Sequence, residues 1–265
     1  MTMIQIVVLA LIQGLSEFLP VSSSAHLILG SVVFGWPDQG LIFDLATHLG
    51  TLTAVFIYFR HDLFELIRVW VRPVEGAVDQ RHRSMGIYLA IASIPAILVG
   101  ALLHDLVEFY LREVQVIAWM TIGFGLLLWV VDAKCSRELE LGQMTLKRAF
   151  FIGLAQTAAL VPGVSRSGVT ITAGRFLGFS ADASARFSFL LSIPIIGAAG
   201  GYGFLRVITG NAEIDWIQFV LAVVLSAMAG WFCIAAFLSL LKRVGLLPFV
   251  IYRLALGVLL LWVLY

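Results

Sequence analysis

Charged residues are scarce in this chain of 265 residues. Asp, Glu, Lys and Arg make up 12% of it, whereas a soluble domain contains roughly 25% of such residues. Hydrophobic residues account for 61% of the sequence, and the mean hydropathy is +1.01. These values exclude an ordinary soluble domain. Because long apolar runs dominate over alternating patterns, they predict an integral membrane protein of the helical type.

Cysteine is also rare, and basic residues are missing from the first part of the chain. The two cysteines are Cys135 and Cys233, and they do not indicate a disulfide framework, because Cys233 lies inside an apolar run. No Lys or Arg precedes Arg60, so the start of the chain lacks the basic segment of a signal peptide. We therefore expect the first residues to belong to the folded protein. The net charge of +1 identifies no class of partner, and we expect no nucleic acid.

Six apolar runs are long enough to cross a bilayer. They cover residues 41–59, 87–103, 116–131, 187–205, 216–241 and 248–264. At about 1.5 Å per residue, each covers a hydrocarbon core about 30 Å thick when tilt and interfacial ends are allowed for. The sequence therefore predicts an all-α polytopic membrane protein with six spanning helices.

Two further regions do not qualify as spans, because each contains an apolar arm that is too short to cross. In the first, a run over residues 3–19 ends before Pro20, which cannot continue a helix, and a second arm covers residues 27–34. In the second, arms at residues 149–161 and 169–179 flank the segment PGVSRSG at residues 162–168. These lengths predict two re-entrant helical hairpins. Their irregular tips are tolerated at membrane depth only inside protein or along a polar cavity.

The two hairpins resemble each other, since each has a glutamine followed by a proline and a group of serines. Each hairpin is followed by three spans. Because three is an odd number, the second copy has to enter the membrane from the opposite side. We predict one membrane domain over residues 1–265, made of inverted repeats at residues 1–131 and 149–265, with hairpin tips that meet near the midplane. Chance similarity between two Pro-Ser turns is the alternative.

Basic residues concentrate on one side of the predicted membrane protein. The connections at residues 60–86, 132–148, 180–186 and 242–247 contain most of the Lys and Arg residues. The opposite connections contain only two arginines, together with acidic residues: Arg112, Arg206, Asp105, Glu108, Glu113, Glu213 and Asp215. The basic side is expected to be cytoplasmic. Ser84 and Glu140 should then face the cytoplasm, and Glu108 and Asn211 the periplasm.

The first hairpin concentrates polar groups in the stretch QGLSEFLPVSSSAH at residues 13–26. Gln13 and Glu17 are four residues apart, so they fall on one helix face. They could form a structural pair, supply oxygen ligands to a hard cation such as Mg²⁺ or Ca²⁺, or act in proton transfer through Glu17. His26 is either a catalytic residue or a packed histidine at a helix start. The three hydroxyls between them belong to Ser22, Ser23 and Ser24.

The second hairpin opens a helix with hydroxyls and a guanidinium, in the stretch PGVSRSGVT at residues 162–170. The free N–H groups of a helix start attract anions, and arginine adds a planar fork that matches phosphate oxygens. A serine here could simply be an N-cap, but that does not explain Arg166 in an apolar setting. Glu17 is the expected protein partner of Arg166, and a phosphate the expected substrate. For His48, which lies in a full span, packing is the favoured interpretation.

These two stretches closely resemble the signatures of the bacterial undecaprenyl-diphosphate phosphatase family, also known as bacitracin-resistance proteins, and the resemblance covers essentially the whole chain. It implies removal of the terminal phosphate of undecaprenyl diphosphate, which recycles the lipid carrier of cell-wall synthesis. It also implies stimulation by a divalent cation and a site that opens to the periplasm from a multi-pass protein of the inner membrane. The lipid substrate and the bilayer are the expected partners, and a homodimer is left open.

Carried over by position, the resemblance assigns catalysis to Glu17, Ser23, His26 and Arg166. We predict substrate contacts from the remaining hydroxyls, namely Ser22, Ser24, Ser165, Ser167 and Thr170, and metal ligation by Gln13 and Glu17. Gln13 occupies a position where the family has Glu or Gln, and glutamine removes one possible charge from the metal site. Ser23, His26 or water could be the nucleophile.

Two rivals remain from the sequence. A transporter of prenyl phosphate would use the same inverted architecture. The histidine-dependent lipid phosphatases are disfavoured, because no suitably spaced histidine follows Arg166.

Overall fold

The computed structural model describes residues 1–36, 39–111, 113–209 and 214–264, with the backbone alone over 104–110. Every regular element in these ranges is helical. Of the residues used above to predict orientation, Arg112, Asn211 and Glu213 lie outside the described residues, as do the side chains of Asp105 and Glu108. The first half of the chain contains α1 (Met3–Ser16), α2 (Ser23–Phe34), α3 (Gly40–Tyr58), α4 (Arg60–Val71), α5 (Gly76–Tyr110) and α6 (Val114–Lys134). The second half contains α7 (Leu146–Gln156), α8 (Arg166–Phe176), α9 (Ala181–Thr209), α10 (Trp216–Val244) and α11 (Leu247–Leu264).

Six of these helices are long and apolar enough to cross a membrane, as the runs in the sequence predicted. Among the described residues they are α3, α5, α6, α9, α10 and α11. The segment after α3 could be a surface amphipathic stretch or a plain basic loop on its sequence, and it folds into α4, a helix of 12 residues. The fold is therefore that of an all-helical polytopic membrane protein.

Two pairs of short helices, α1 with α2 and α7 with α8, flank the two tips, which are residues 17–24 and 161–167. These helices begin and end at other residues than the apolar runs suggested. Helix α1 stops at Ser16 and not at residue 19, since a proline ring clashes with the carbonyl four residues earlier and disfavours helical geometry at Leu19. Residues 17–21 form turns. Helix α2 begins at Ser23, so two of the three serines belong to its first turn. In the second pair, α7 ends at Gln156 and a 3₁₀ turn, Thr157–Leu160, leads to the tip.

The two tips share an unusual backbone conformation. Ser22 has φ = 74° and caps α2, while Ser165 has φ = 69° and caps α8. They are the two non-glycine residues with positive φ in the described ranges. Each hydroxyl accepts a hydrogen bond from the backbone N–H three residues later, and each also bonds the serine two residues later, at 3.0 Å for Ser22 and 3.2 Å for Ser165. A positive φ costs energy in a residue with a side chain, so the surrounding contacts must hold both serines in place.

Helices of the first half of the chain, α1 to α6, pack against helices of the second half, α7 to α11. Helix α1 packs on α10 and α7 packs on α5, while α3 meets α9 and α6 meets α11. Two glycines allow the close crossings. A Cβ on Gly14 would lie 2.6 Å from the carbonyl oxygen of Ser226, and a Cβ on Gly153 would clash with the backbone of Ala92. Small residues at such crossings let helix backbones approach in a membrane.

The largest core cluster contains an aromatic group that supports the first tip. Phe18 is fully buried, and its ring packs edge to face on Phe189 of α9, with centroids 5.5 Å apart. Phe189 also packs on Phe59 and Phe237. Because Phe18 follows Glu17 directly, this packing fixes the backbone beside the carboxylate.

Candidate active site

The two tips meet each other, as the sequence predicted. The backbone N–H of Gly163 donates to Ser24 Oγ at 3.0 Å, and Ser167 Oγ donates to the carbonyl of Leu19 at 2.8 Å. A serine from each tip thus bonds the backbone of the other tip. This exchange brings Glu17 of the first tip close to Arg166 of the second.

A fully buried arginine from α11 ties both tips together. Arg253 Nη2 donates to the carbonyls of Gly163 at 2.9 Å and Val164 at 3.0 Å, and Nη1 donates to that of Pro20 at 3.4 Å. Its Nε donates to the carbonyl of Thr121 in α6 at 3.1 Å. One guanidinium therefore satisfies four buried carbonyls, three of which belong to irregular backbone. Such backbone is tolerated at membrane depth only when protein groups satisfy it in this way.

Glu17 lies at the centre of the hydrogen-bonded groups. Its Oε2 accepts a hydrogen bond from Ser23 Oγ at 3.0 Å and another from Gln13 Nε2 at 3.0 Å. Its Oε1 lies 3.6 Å from Arg166 Nη2, and the two side chains are 9% and 11% exposed. A carboxylate bonded to a serine hydroxyl is the arrangement of a general base beside a nucleophile.

Arg166 forms one hydrogen bond with α9 and has two further donor atoms that form none. Its Nη1 donates to the carbonyl of Ser188 in α9 at 3.0 Å, while Nε and Nη2 are buried without a hydrogen-bond partner. Thr170 Oγ1 donates to Ser188 Oγ at 2.7 Å, which fixes the residue whose carbonyl holds the guanidinium. Buried donors without partners are costly, so the geometry suits an anion that would accept from them.

His48 belongs to the site, contrary to the packing interpretation of its sequence position. Its Nδ1 lies 2.7 Å from the carbonyl of Asp44, which requires Nδ1 to carry the proton and donate. Its Nε2 is then an acceptor for Gln13 Nε2 at 3.4 Å. Gln13 in turn holds Glu17, so a chain of hydrogen bonds leads from α3 to the carboxylate. Gln13 is fully buried, and its Oε1 has no partner.

A cavity of about 280 Å³ lies between the tips. Glu17, Ser23, His48 and Arg166 line it. Further lining comes from Ser22, Ser24, Ser165, the backbone around Gly163, and the apolar side chains of Ile195, Ile196 and Ala199. One side of the cavity is thus polar and charged, while α9 supplies an apolar wall.

Four predicted site residues do not line this cavity, namely His26, Ser167, Thr170 and Gln13. His26 turns towards α11, where its Nε2 lies 2.7 Å from the hydroxyl of Tyr252 and its Nδ1 lies 2.7 Å from the carbonyl of Ser22. Ser167 and Thr170 are buried, and their hydroxyls bond protein groups. These contacts support the tips, which explains polar residues there without contact to a ligand.

Sequence reasoning missed two residues of this region, His48 and Arg253. The sequence around Arg253 indicated a functional residue, because an ionisable side chain inside an apolar span costs free energy and is usually functional. His48 carried the same signal more weakly, since histidine often packs in a core. Neither position indicates by itself that it reaches the tips.

The donor set fits a divalent cation only in part. Glu17 lines the cavity, but Gln13 does not, and Gln13 turns its NH₂ group and not its carbonyl oxygen towards the carboxylate. The positive charge of Arg166 also lies beside Glu17. One carboxylate and a few hydroxyls make an incomplete site for a hard cation, which needs six or more oxygen ligands. Ligand oxygens, such as those of a diphosphate, would have to supply the rest.

The sequence matches the family described as bacitracin resistance protein BacA over residues 6–259. The chain belongs to the BacA family. It is 53% identical over 260 residues to a protein of Teredinibacter turnerae named undecaprenyl-diphosphatase, with 98% of each chain covered. It is 50% identical to undecaprenyl-diphosphatase 1 of Pseudoalteromonas translucida, with 97% of each chain covered. The undecaprenyl-diphosphatase of Chromohalobacter salexigens is 50% identical, with 99% of this chain and 100% of the relative covered.

Membership of the BacA family agrees with the resemblance carried by the two hairpin stretches. Both stretches lie inside the matched residues. The relatives cover the described site from Gln13 to Arg253, since the alignments leave out only a few residues of the chain. The activity in the names of these relatives can therefore be compared with the site between the tips.

Proposed function

We propose that this protein is an undecaprenyl-diphosphate phosphatase, which hydrolyses undecaprenyl diphosphate to undecaprenyl phosphate and phosphate. The observation that carries the proposal is the Glu17 carboxylate, bonded to the Ser23 hydroxyl and facing Arg166 across a cavity. We infer the substrate from the names of relatives that are about 50% identical to this chain. The reaction returns the lipid carrier to cell-wall synthesis, and the family description links it to bacitracin resistance.

In the first step, the Ser23 oxygen attacks the distal phosphorus while Glu17 takes the hydroxyl proton. A bond forms between Oγ and phosphorus, and the bond from that phosphorus to the bridging oxygen breaks. Undecaprenyl phosphate leaves and takes the proton from Glu17. Arg166 donates to the phosphoryl oxygens from Nε and Nη2, which form no hydrogen bond with the protein, and this stabilises the charge of the transition state.

In the second step, Glu17 takes a proton from water, and the water oxygen attacks the phosphorus of phosphoserine. The bond to Oγ breaks, phosphate leaves, and Ser23 Oγ takes the proton from Glu17, which becomes a carboxylate again. Direct attack by water on the diphosphate is the simpler variant, with Glu17 again as the base. The geometry favours Glu17 over His26 as the base, because His26 faces Tyr252 and not the cavity.

A divalent cation, Mg²⁺ or Ca²⁺, would be held by Glu17 together with oxygens of the diphosphate. It would neutralise part of the negative charge that the diphosphate brings into a low-dielectric site. Gln13 would then serve as a support for Glu17 and not as a ligand, because its NH₂ group faces the carboxylate.

The architecture is proposed to consist of two inverted repeats with re-entrant hairpins. The similar positive φ angles and the corresponding hydrogen bonds of Ser22 and Ser165 support this arrangement. So does the reciprocal packing of α1 on α10 and of α7 on α5. In this arrangement the first hairpin enters from one side of the membrane and the second from the other.

The site is proposed to open to the periplasm from the inner membrane, because the basic connections mark the cytoplasmic side. Single cysteines at Ser84 and Glu140, against Glu113 and Asp215, test this in cells whose native cysteines are replaced. An impermeant thiol reagent should label positions 113 and 215 in intact cells, and positions 84 and 140 only after lysis. The reverse pattern would overturn the orientation.

The activity itself is tested with purified protein in detergent. Release of phosphate from undecaprenyl diphosphate, with the monophosphate as the other product, is the expected result. A transporter of prenyl phosphate would need a membrane and would release no phosphate. Absence of turnover from correctly folded protein, together with transport in vesicles, would favour the transporter.

A further inference from the structure

Helix α4, Arg60–Val71, is apolar on two opposite sides. Leu66 and Val69 face the protein, and they are 8% and 3% exposed. Phe64, Ile67 and Val71 are 64%, 63% and 77% exposed. At 100° per residue these three side chains form one stripe, which lies on the side of the helix away from Leu66 and Val69. The second apolar face therefore has no partner within the described part of the chain.

The position of α4 places this face beside the membrane boundary. Helix α3 ends at Tyr58, and Phe59 alone separates it from the first residue of α4. Helix α5 starts five residues after α4 ends and returns to the bundle. The exposed face thus starts where a spanning helix ends, on the side that contains most of the basic residues. An apolar stripe beside a lipid boundary is typical of a helix that lies in the interface.

Arginines flank the exposed face. Arg60 and Arg72 stand just before and just after its apolar residues, and neither forms an ion pair with a described residue. Arg83 lies over the ring of Trp70, with its guanidinium carbon 5.2 Å from the ring centroid. Trp70 itself is 54% exposed. Tryptophan and arginine are the residues that anchor helices at the level of lipid headgroups.

The acidic residues nearby cancel most of this charge but leave it positive, since residues 60–83 contain five arginines against Asp62, Glu65, Glu75 and Asp79. Glu65 and Asp79 both pair with Arg68, at 2.8 Å and 2.7 Å. Asp62 lies on the side of α4 opposite to the exposed stripe. The stripe is therefore bordered by guanidinium groups that form no ion pair with a described residue; Arg60 Nη1 donates to the carbonyl of Ile57 at 3.1 Å, which leaves its other donors for phosphate.

We propose that α4 is an interfacial helix that binds anionic phospholipid in the leaflet on the basic side. Phe64, Ile67 and Val71 enter the boundary of the acyl chains, and Arg60, Arg72 and Arg83 contact the phosphates of the headgroups. Charge complementarity selects anionic lipid, because the groups that border the stripe are cationic. This inference is independent of the reaction, since it concerns a surface far along the chain from the two tips.

The first experiment measures depth. Ile67→Cys and Asp62→Cys are made in a background in which Cys135 and Cys233 are replaced, then spin-labelled and placed in phosphatidylglycerol-containing nanodiscs. The label at position 67 should be accessible to oxygen and protected from a water-soluble nickel reagent, and the label at position 62 should show the reverse. Equal access of the nickel reagent to both would overturn the proposal. Protection of position 67 from both reagents would indicate a second copy of the chain and would also overturn it.

The second experiment measures the headgroup preference. Retention of phosphatidylglycerol against phosphatidylethanolamine is measured by native mass spectrometry for a variant with Arg60, Arg72 and Arg83 changed to Gln. The preference for the anionic lipid should fall about fivefold for each arginine removed. The matched control changes Arg137, Lys147 and Arg243 to Gln, because these residues are exposed and lie on the same basic side of the protein. This control should keep the preference for phosphatidylglycerol. Equal loss in both variants would mean that α4 is not the binding site.

Discussion

Replacement of Arg253 by lysine tests how the two tips are held. Arginine reaches four carbonyls from three nitrogens, whereas lysine has a single ammonium nitrogen. We expect lysine to leave at least two carbonyls unsatisfied. A buried polar group without its partner costs about 1–3 kcal/mol, although hydrogen bonds between membrane helices average only about 0.6 kcal/mol. Two lost bonds then destabilise the fold by about 1–6 kcal/mol.

The loss should also change the rate, because the same carbonyls fix the tips that carry Glu17 and Arg166. A displacement of reacting groups by about 1 Å can cost about a hundredfold in rate. We therefore expect Arg253→Lys to melt at a lower temperature in detergent and to turn over at least about tenfold more slowly.

Arg137→Lys is the matched control. Its side chain is 65% exposed, so the change should alter stability by no more than about 0.5 kcal/mol. Melting and turnover of Arg253→Lys that match this control would refute the role given to Arg253.

Three further changes probe the site. Arg166→Lys should lose most turnover at an unchanged melting temperature, since lysine gives a point charge in place of a planar fork; near-normal kinetics would contradict the phosphate contact. Gln13→Glu should remain active but depend more steeply on Mg²⁺ or Ca²⁺, because two carboxylates about 3 Å apart repel each other unless a cation bridges them; an unchanged cation titration would separate this position from the metal. His48→Ala should slow turnover by about tenfold, because it removes a group that orients Gln13; a normal rate would show that Gln13 needs no such support.

The spans could be predicted from sequence because their signal is local. A run of about 18 or more apolar residues with few charges has few folded states other than a membrane helix. The cap at the second hairpin was also readable, since an N-cap was one interpretation of the serines there, and Ser165 accepts a hydrogen bond from the N–H of Gly168. The matching cap by Ser22 was not predicted. The end of α1 was missed by three residues, because the influence of Pro20 reaches back to Ser16.

The hydrogen bonds and ion pairs of the site were less predictable, because they join distant parts of the chain. Glu17 and Arg166 could be paired from charge alone, since each needs a partner at membrane depth. The direction of His26 depends on Tyr252, and nothing near His26 in the sequence reveals that contact. Arg253 likewise reaches Pro20 across most of the chain.

The central claim is that Glu17 activates an oxygen nucleophile for attack on a diphosphate held by Arg166. Glu17→Gln keeps the size of the side chain and removes the only carboxylate that lines the cavity in the described part of the chain. The direct measurement is phosphate release from undecaprenyl diphosphate by the purified variant, beside the unchanged protein, at matched melting temperature and elution. We expect phosphate release by Glu17→Gln to fall to background. Normal release would contradict it and would leave Glu17 as a structural partner of Arg166 alone.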